Sequence, residues 1–190
     1  MSKLRTAFLL AGLSFLTLSW AQNEPFVKRT VISGLNSPWE ITYGPNDSMW
    51  VTENFSYRVK RISIANGTST QLLNLSSSKN FSQNDGGMWP QGGLMGLAIH
   101  PNLYSSDPAV RAAKPWVYLA YVFSRQTCAT TTNPSGPCNF LTRIVRYDYI
   151  GDALLNPVTV LDNIPGSNDH NSGRLKIGPD LKLYYTIGDL

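Results

Sequence analysis

A strand–turn–strand unit recurs three times in this chain of 190 residues, and it restricts the chain to an all-β architecture. In the first copy, Ile41 to Thr52, a short alternating run meets a Pro45-Asn46-Asp47 turn and a second run follows. The second copy begins at Leu97, turns at Pro101-Asn102 and resumes at Trp116 to Val122 after an excursion. The third, Leu175 to Thr186, turns at Pro179-Asp180. Proline presets φ at such a turn, and Asn or Asp beside it hydrogen-bonds its own backbone, so each copy predicts a hairpin.

Further strands are expected at Arg58 to Ile64, closed by the turn pair Asn66-Gly67, at Thr142 to Tyr149 and at Val158 to Leu161. Helical periodicity is confined to Pro108 to Lys114, at most two turns within a loop. The first strands of the three hairpins start 56 and 78 residues apart, with other strands between them. Such spacing suggests propeller blades with loops of unequal length; a sandwich is the alternative. The third copy reaches Leu190 with no closing strand in view, so the expectation is the N-terminal blades of a larger propeller.

The ends and the charge narrow the setting. Lys3 and Arg5 precede an apolar stretch from Ala7 to about Trp20, and Ser19 and Ala21 suit a signal peptidase. This predicts a secretory signal over residues 1–21, an exported (periplasmic or secreted) protein and a mature domain over residues 22–190. The stretch is shorter than the ~20 residues a spanning helix needs, so no stable membrane span is expected. Without the signal, 14 basic residues face 12 acidic ones, scattered along the chain; this excludes a phosphate-tracking stripe and hence a nucleic-acid partner. Cys128 and Cys138 flank a run of turn residues, and in an oxidising compartment a disulfide closing that loop is expected.

Two histidines can be weighed for chemistry. His100 stands at the strand-to-turn junction where the other copies have Gly44 and Gly178, which favours a structural role. His170 lies in a polar loop, Pro165 to Arg174, that leads into the third hairpin. An imidazole there can take a proton from a hydroxyl, although from spacing alone a solvated loop histidine is the better reading. Asp169 is adjacent, but neighbours in an extended segment point apart, so it need not orient His170. Residues 86–96 carry five glycines around Trp89 and Gln91, and the amide of Gln91 suits hydroxyls. A plain glycine-rich turn is the alternative there. Neither a serine nucleophile elbow nor a phosphate loop occurs.

These segments together resemble the soluble glucose/sorbosone dehydrogenase family. The resemblance runs from Leu35 to Pro38 and Trp50 to Glu53, through Gln91 to Pro101 and Asp169 to Pro179, to Tyr184 to Asp189. It implies a six-bladed β-propeller with pyrroloquinoline quinone in a cleft on one face. His170 matches the family's catalytic base, and Asp169 and Gln91 match residues of the substrate and cofactor pocket. The implied reaction is oxidation of an aldose at its anomeric hydroxyl: His170 removes the proton, hydride leaves for the quinone, and the rate falls as His170 protonates. Implied partners are the aldose, an external electron acceptor and, as an option, a second copy in a homodimer. The family's calcium ligands and most of its quinone-clamping cations belong to later blades, so no metal ligand is assigned here, and residues 22–190 alone are expected to be inactive. A non-catalytic propeller that binds a carbohydrate or a protein is the alternative.

Overall fold

The structure is a computed structural model that describes residues 26–81, 92–125, 139–167 and 169–189. The expected signal segment (residues 1–21), Gln91 and both cysteines lie outside the described residues.

Two four-stranded antiparallel meanders and one hairpin account for nearly all regular structure among the described residues. The first sheet is β1 (Pro38–Gly44), β2 (Ser48–Glu53), β3 (Arg58–Ser63) and β4 (Ser69–Asn74), in chain order. The second is β5 (Leu94–Ile99), β6 (Trp116–Ser124), β7 (Phe140–Ile150) and β8 (Ala153–Pro165), again in chain order. The hairpin pairs β9 (Ser172–Ile177) with β10 (Leu183–Ile187). Four-stranded meanders stacked face to face are propeller blades, and the chain is all-β as its repeats require.

The turn chemistry explains the repeat. Asn46 and Asp47 adopt left-handed φ values of 59° and 50° between β1 and β2, a conformation their short polar side chains tolerate. Gly44 is needed for space: a Cβ there would lie 2.2 Å from the Trp50 ring. Gly178 meets Tyr184 in the same way, at 2.6 Å. In the second blade the junction residue is His100, which is buried and caps the 3-10 turn Pro101–Tyr104 by accepting the Asn102 N–H on Nδ1 at 3.1 Å. The expected structural role of this histidine follows from that bond. The single short helix among the described residues is α1 (Pro108–Ala113), capped by Asp107.

The sequence did not signal β4, whose residues Ser69 to Asn74 are mostly polar, as an outer strand can be. It also understated β8. Pro157 interrupts the apolar run there, but β8 is the outermost strand of its sheet, where a missing N–H costs no ladder bond.

Burial places β5 at the centre. All six of its residues are buried, and it packs against both β1 and β9. Trp50, Tyr57, Val59, Leu97, Leu119 and Tyr147 fill the space between the first two blades. Ala98, Ala120, Ile144 and Leu175 fill the space between the second blade and the hairpin. Close approach at the second interface depends on Gly96, where a Cβ would fall 2.1 Å from the Gly173 carbonyl oxygen. Polar bonds cross the stack as well: Tyr57 donates to the Val122 carbonyl at 2.7 Å, and Thr52 to the Met95 carbonyl at 2.8 Å. Arg174 of β9 reaches Glu40 of β1 at 3.1 Å.

Candidate active site

The loop before β9 is held by one buried side chain. Asn171 is 2% exposed between exposed His170 and Ser172. Its Oδ1 accepts the Ser167 N–H at 2.8 Å, and its Nδ2 donates to the carbonyls of Ser167 and Asp169 at 2.7 and 3.2 Å. Left-handed φ values at His170 (51°), Ser172 (59°) and Gly173 (89°) turn the chain outward. Such values are uncommon for residues other than glycine and persist where surroundings fix them.

His170 therefore projects from a rigid scaffold into solvent, with its side chain about half exposed. Its Nδ1 lies 3.0 Å from Oδ1 of Asp189, the residue that follows β10 by two positions. Its Nε2 lies 3.6 Å from Oδ2 of Asp169, too long for a hydrogen bond. The other oxygen of Asp169 accepts the His170 backbone N–H at 2.9 Å. Asp169 thus fixes the main chain at His170, and Asp189 faces the ring nitrogen. A carboxylate beside Nδ1 favours the proton on that nitrogen and leaves the Nε2 lone pair free to accept one.

Electrostatics beyond the loop centre on Glu40. Burial pushes its carboxyl above the usual carboxylate range, against the pull of Arg174, then Lys176, then the Thr42 hydroxyl. Arg174 and Lys176 alternate on the exposed side of β9 with Ser172, so positive charge runs along β9 from the His170 loop.

Of the site residues read from the sequence, His170 and Asp169 come together in this loop. Gln91 lies outside the described residues, as do Cys128 and Cys138. Asp189 was not singled out as a site residue, because nothing local marks it; its partner is nineteen positions earlier and meets it only through the β9–β10 pairing. A cavity of about 690 Å³ lies elsewhere, between the β1–β2 turn and the insertion that carries α1, and none of its lining residues belongs to the His170 loop. Among the described residues no group of three or more His, Cys, Asp or Glu side chains is placed to hold a metal ion, and no helix is long and apolar enough to cross a membrane.

Comparison with known proteins bears on the family and the fold. The chain is 33% identical over 169 residues to quinoprotein glucose dehydrogenase B of Acinetobacter calcoaceticus, which covers 89% of this chain and 32% of that protein. Its structure is similar to the PQQ-bound form of an aldose sugar dehydrogenase from Streptomyces coelicolor, with a TM-score of 0.61 and 29% identity over 86% of this chain and 41% of that one. It is also similar to an oxidoreductase of glucose dehydrogenase type from Thermus thermophilus, with a TM-score of 0.60 and 25% identity over 85% of this chain and 40% of that one. The chain thus spans about a third to two fifths of the length of these relatives. Residues 35–190 match the Glucose / Sorbosone dehydrogenase family, and the chain, a set of β-propeller blades, belongs to it.

Proposed function

We propose that this chain forms the base-bearing part of an exported sugar dehydrogenase that oxidises the anomeric hydroxyl of an aldose. The observation that carries the reading is the His170 imidazole, with its side chain about half exposed and its Nδ1 backed by Asp189. A bound aldose would place its anomeric hydroxyl against Nε2. The imidazole would take that proton as the carbon loses hydride, and the carboxylate of Asp189 would stabilise the cation that forms on the ring. Asp169, with its second oxygen 3.6 Å from Nε2, would add to that stabilisation and stay within reach of a sugar hydroxyl.

Pyrroloquinoline quinone, when bound, supplies the hydride acceptor. The loop fits the substrate-facing half of such a site, because it offers a base and carboxylates and leaves its outer side open. A quinone bearing several carboxylates also needs cations; those that follow the loop on β9 are Arg174, engaged with Glu40, and Lys176. The chemistry assigned to this chain therefore stops at the proton. Calcium, as an expected cofactor, would be held by other residues. On the same grounds residues 22–190 alone are proposed to turn over no sugar.

The test uses the protein at its native length, loaded with quinone and calcium. Aldose-dependent reduction of a dye should slow when the anomeric hydrogen is replaced by deuterium. Absence of any aldose-dependent reduction would contradict the reading.

A further inference from the structure

We propose that Asn171 is a positioning residue for the proton-accepting pair, setting the tautomer of His170 by holding both chain segments that carry the pair. The inference rests on the reading of His170 as the base and goes beyond it to a residue that touches neither the imidazole nor a substrate.

Two sets of contacts meet at Asn171. Its side chain, with bonds to Ser167 N–H, Ser167 carbonyl and Asp169 carbonyl, ties both of those residues to the start of β9. Between these anchors His170 sits at φ 51°. The backbone carbonyl of Asn171 accepts the Gly188 N–H at 3.2 Å, which fixes the end of β10 against the loop. The approach there is so close that a Cβ on Gly188 would lie 1.7 Å from the His170 carbonyl oxygen. Asp189 is the next residue, so this backbone contact delivers its carboxylate to Nδ1 at 3.0 Å.

Both members of the pair are exposed, with side-chain exposures of 56% for His170 and 86% for Asp189. Neither is fixed by packing of its own. An exposed contact between an imidazole and a carboxylate has little energy with which to order two side chains. The order must come from the backbone beneath: the buried Asn171 side chain fixes the loop, and its backbone carbonyl joins that loop to Gly188 at the end of the β9–β10 ladder. Asp169 cannot do this alone, since its bonds are to Ser167, His170 and Asn171 and reach no part of β10.

The test reads the imidazole directly, in the resting protein without sugar or quinone. Nitrogen-15 NMR of histidine-labelled protein at native length should show His170 of the wild type mainly as the Nδ1–H tautomer. Asn171→Ala should shift the Nδ1 and Nε2 resonances toward a mixture of tautomers. In the loaded enzyme it should lower kcat about tenfold or more while KM changes less than threefold. Gly188→Ala, which pushes the two backbones apart, should shift the same resonances. Where Asn171→Ala does not melt cooperatively, Asn171→Ser keeps one donor and one acceptor and should show a smaller shift in the same direction. A wild-type tautomer in the folded Asn171 variants, whatever their stability, would overturn the proposal. Loss of sugar oxidation by the wild type itself would instead remove the functional reading and leave the tautomer result standing.

Discussion

Nδ1 of His170 and Oδ1 of Asp189 lie 3.0 Å apart although nineteen residues separate them in the chain. The β9–β10 hairpin folds back so that its two ends meet, with Ile187 opposite Ser172. In the proposed reading the pair joins a base to the carboxylate that orients it.

From this pair follows a first prediction. Asp189→Asn keeps the shape and removes the charge, so the imidazole loses its bias toward the Nδ1 proton and the stabilisation of its cation. We expect kcat to fall by roughly 10- to 100-fold with KM little changed, less than for a buried triad because this carboxylate is solvated. Steady-state kinetics at native length measure it. An unchanged kcat would remove Asp189 from the mechanism.

A second prediction concerns Glu53, fully buried at the end of β2. Burial pushes its carboxyl up, but hydrogen bonds from Lys60 at 2.7 Å, the Asn36 N–H at 2.9 Å and Ser56 at 2.8 Å outweigh this and hold it below the ordinary value of 4.5. The folded state then binds fewer protons than the unfolded one. The stabilisation is complete above the unfolded pKa and is lost as pH falls through the folded one. Glu53→Gln should cost about 1–3 kcal/mol near neutral pH. Its thermal midpoint should also fall less steeply than the wild type's as pH drops below about 5. Parallel curves for the two proteins would show that Glu53 carries no such linkage.

The fold was legible where turn chemistry and strand alternation coincide. Pro45-Asn46-Asp47 and Pro179-Asp180 announced hairpins that the structure contains, and the excursion after His100 holds the one helix foreseen there. What was not legible depends on neighbours. β4 is polar because it is outermost in its sheet, and Pro157 sits within β8 because an outermost strand spares its N–H. The site divides in the same way. His170 and Asp169 stand in one segment, which the family resemblance marks, whereas spacing alone favours a solvated loop histidine. Asp189 meets His170, and the Asn171 carbonyl meets Gly188, only through contacts between segments, and no spacing rule announces a partner set by hairpin register.

A third prediction addresses the two chain features outside the described residues. We expect the exported protein to begin at Gln22, and Cys128 and Cys138 to be joined. Intact mass of the secreted protein, alkylated without reduction, should fit that start and show no label on either thiol. A retained leader would contradict the export reading, and labelling of both cysteines would contradict the disulfide.

The central claim is that His170 accepts the proton of the anomeric hydroxyl, and the most direct measurement is kcat for aldose oxidation by His170→Ala at native length, loaded with quinone and calcium. Positioned general bases contribute about 10²- to 10⁴-fold, so the variant should lose activity in that range while still binding the quinone. Wild-type turnover by His170→Ala with quinone bound would contradict the account.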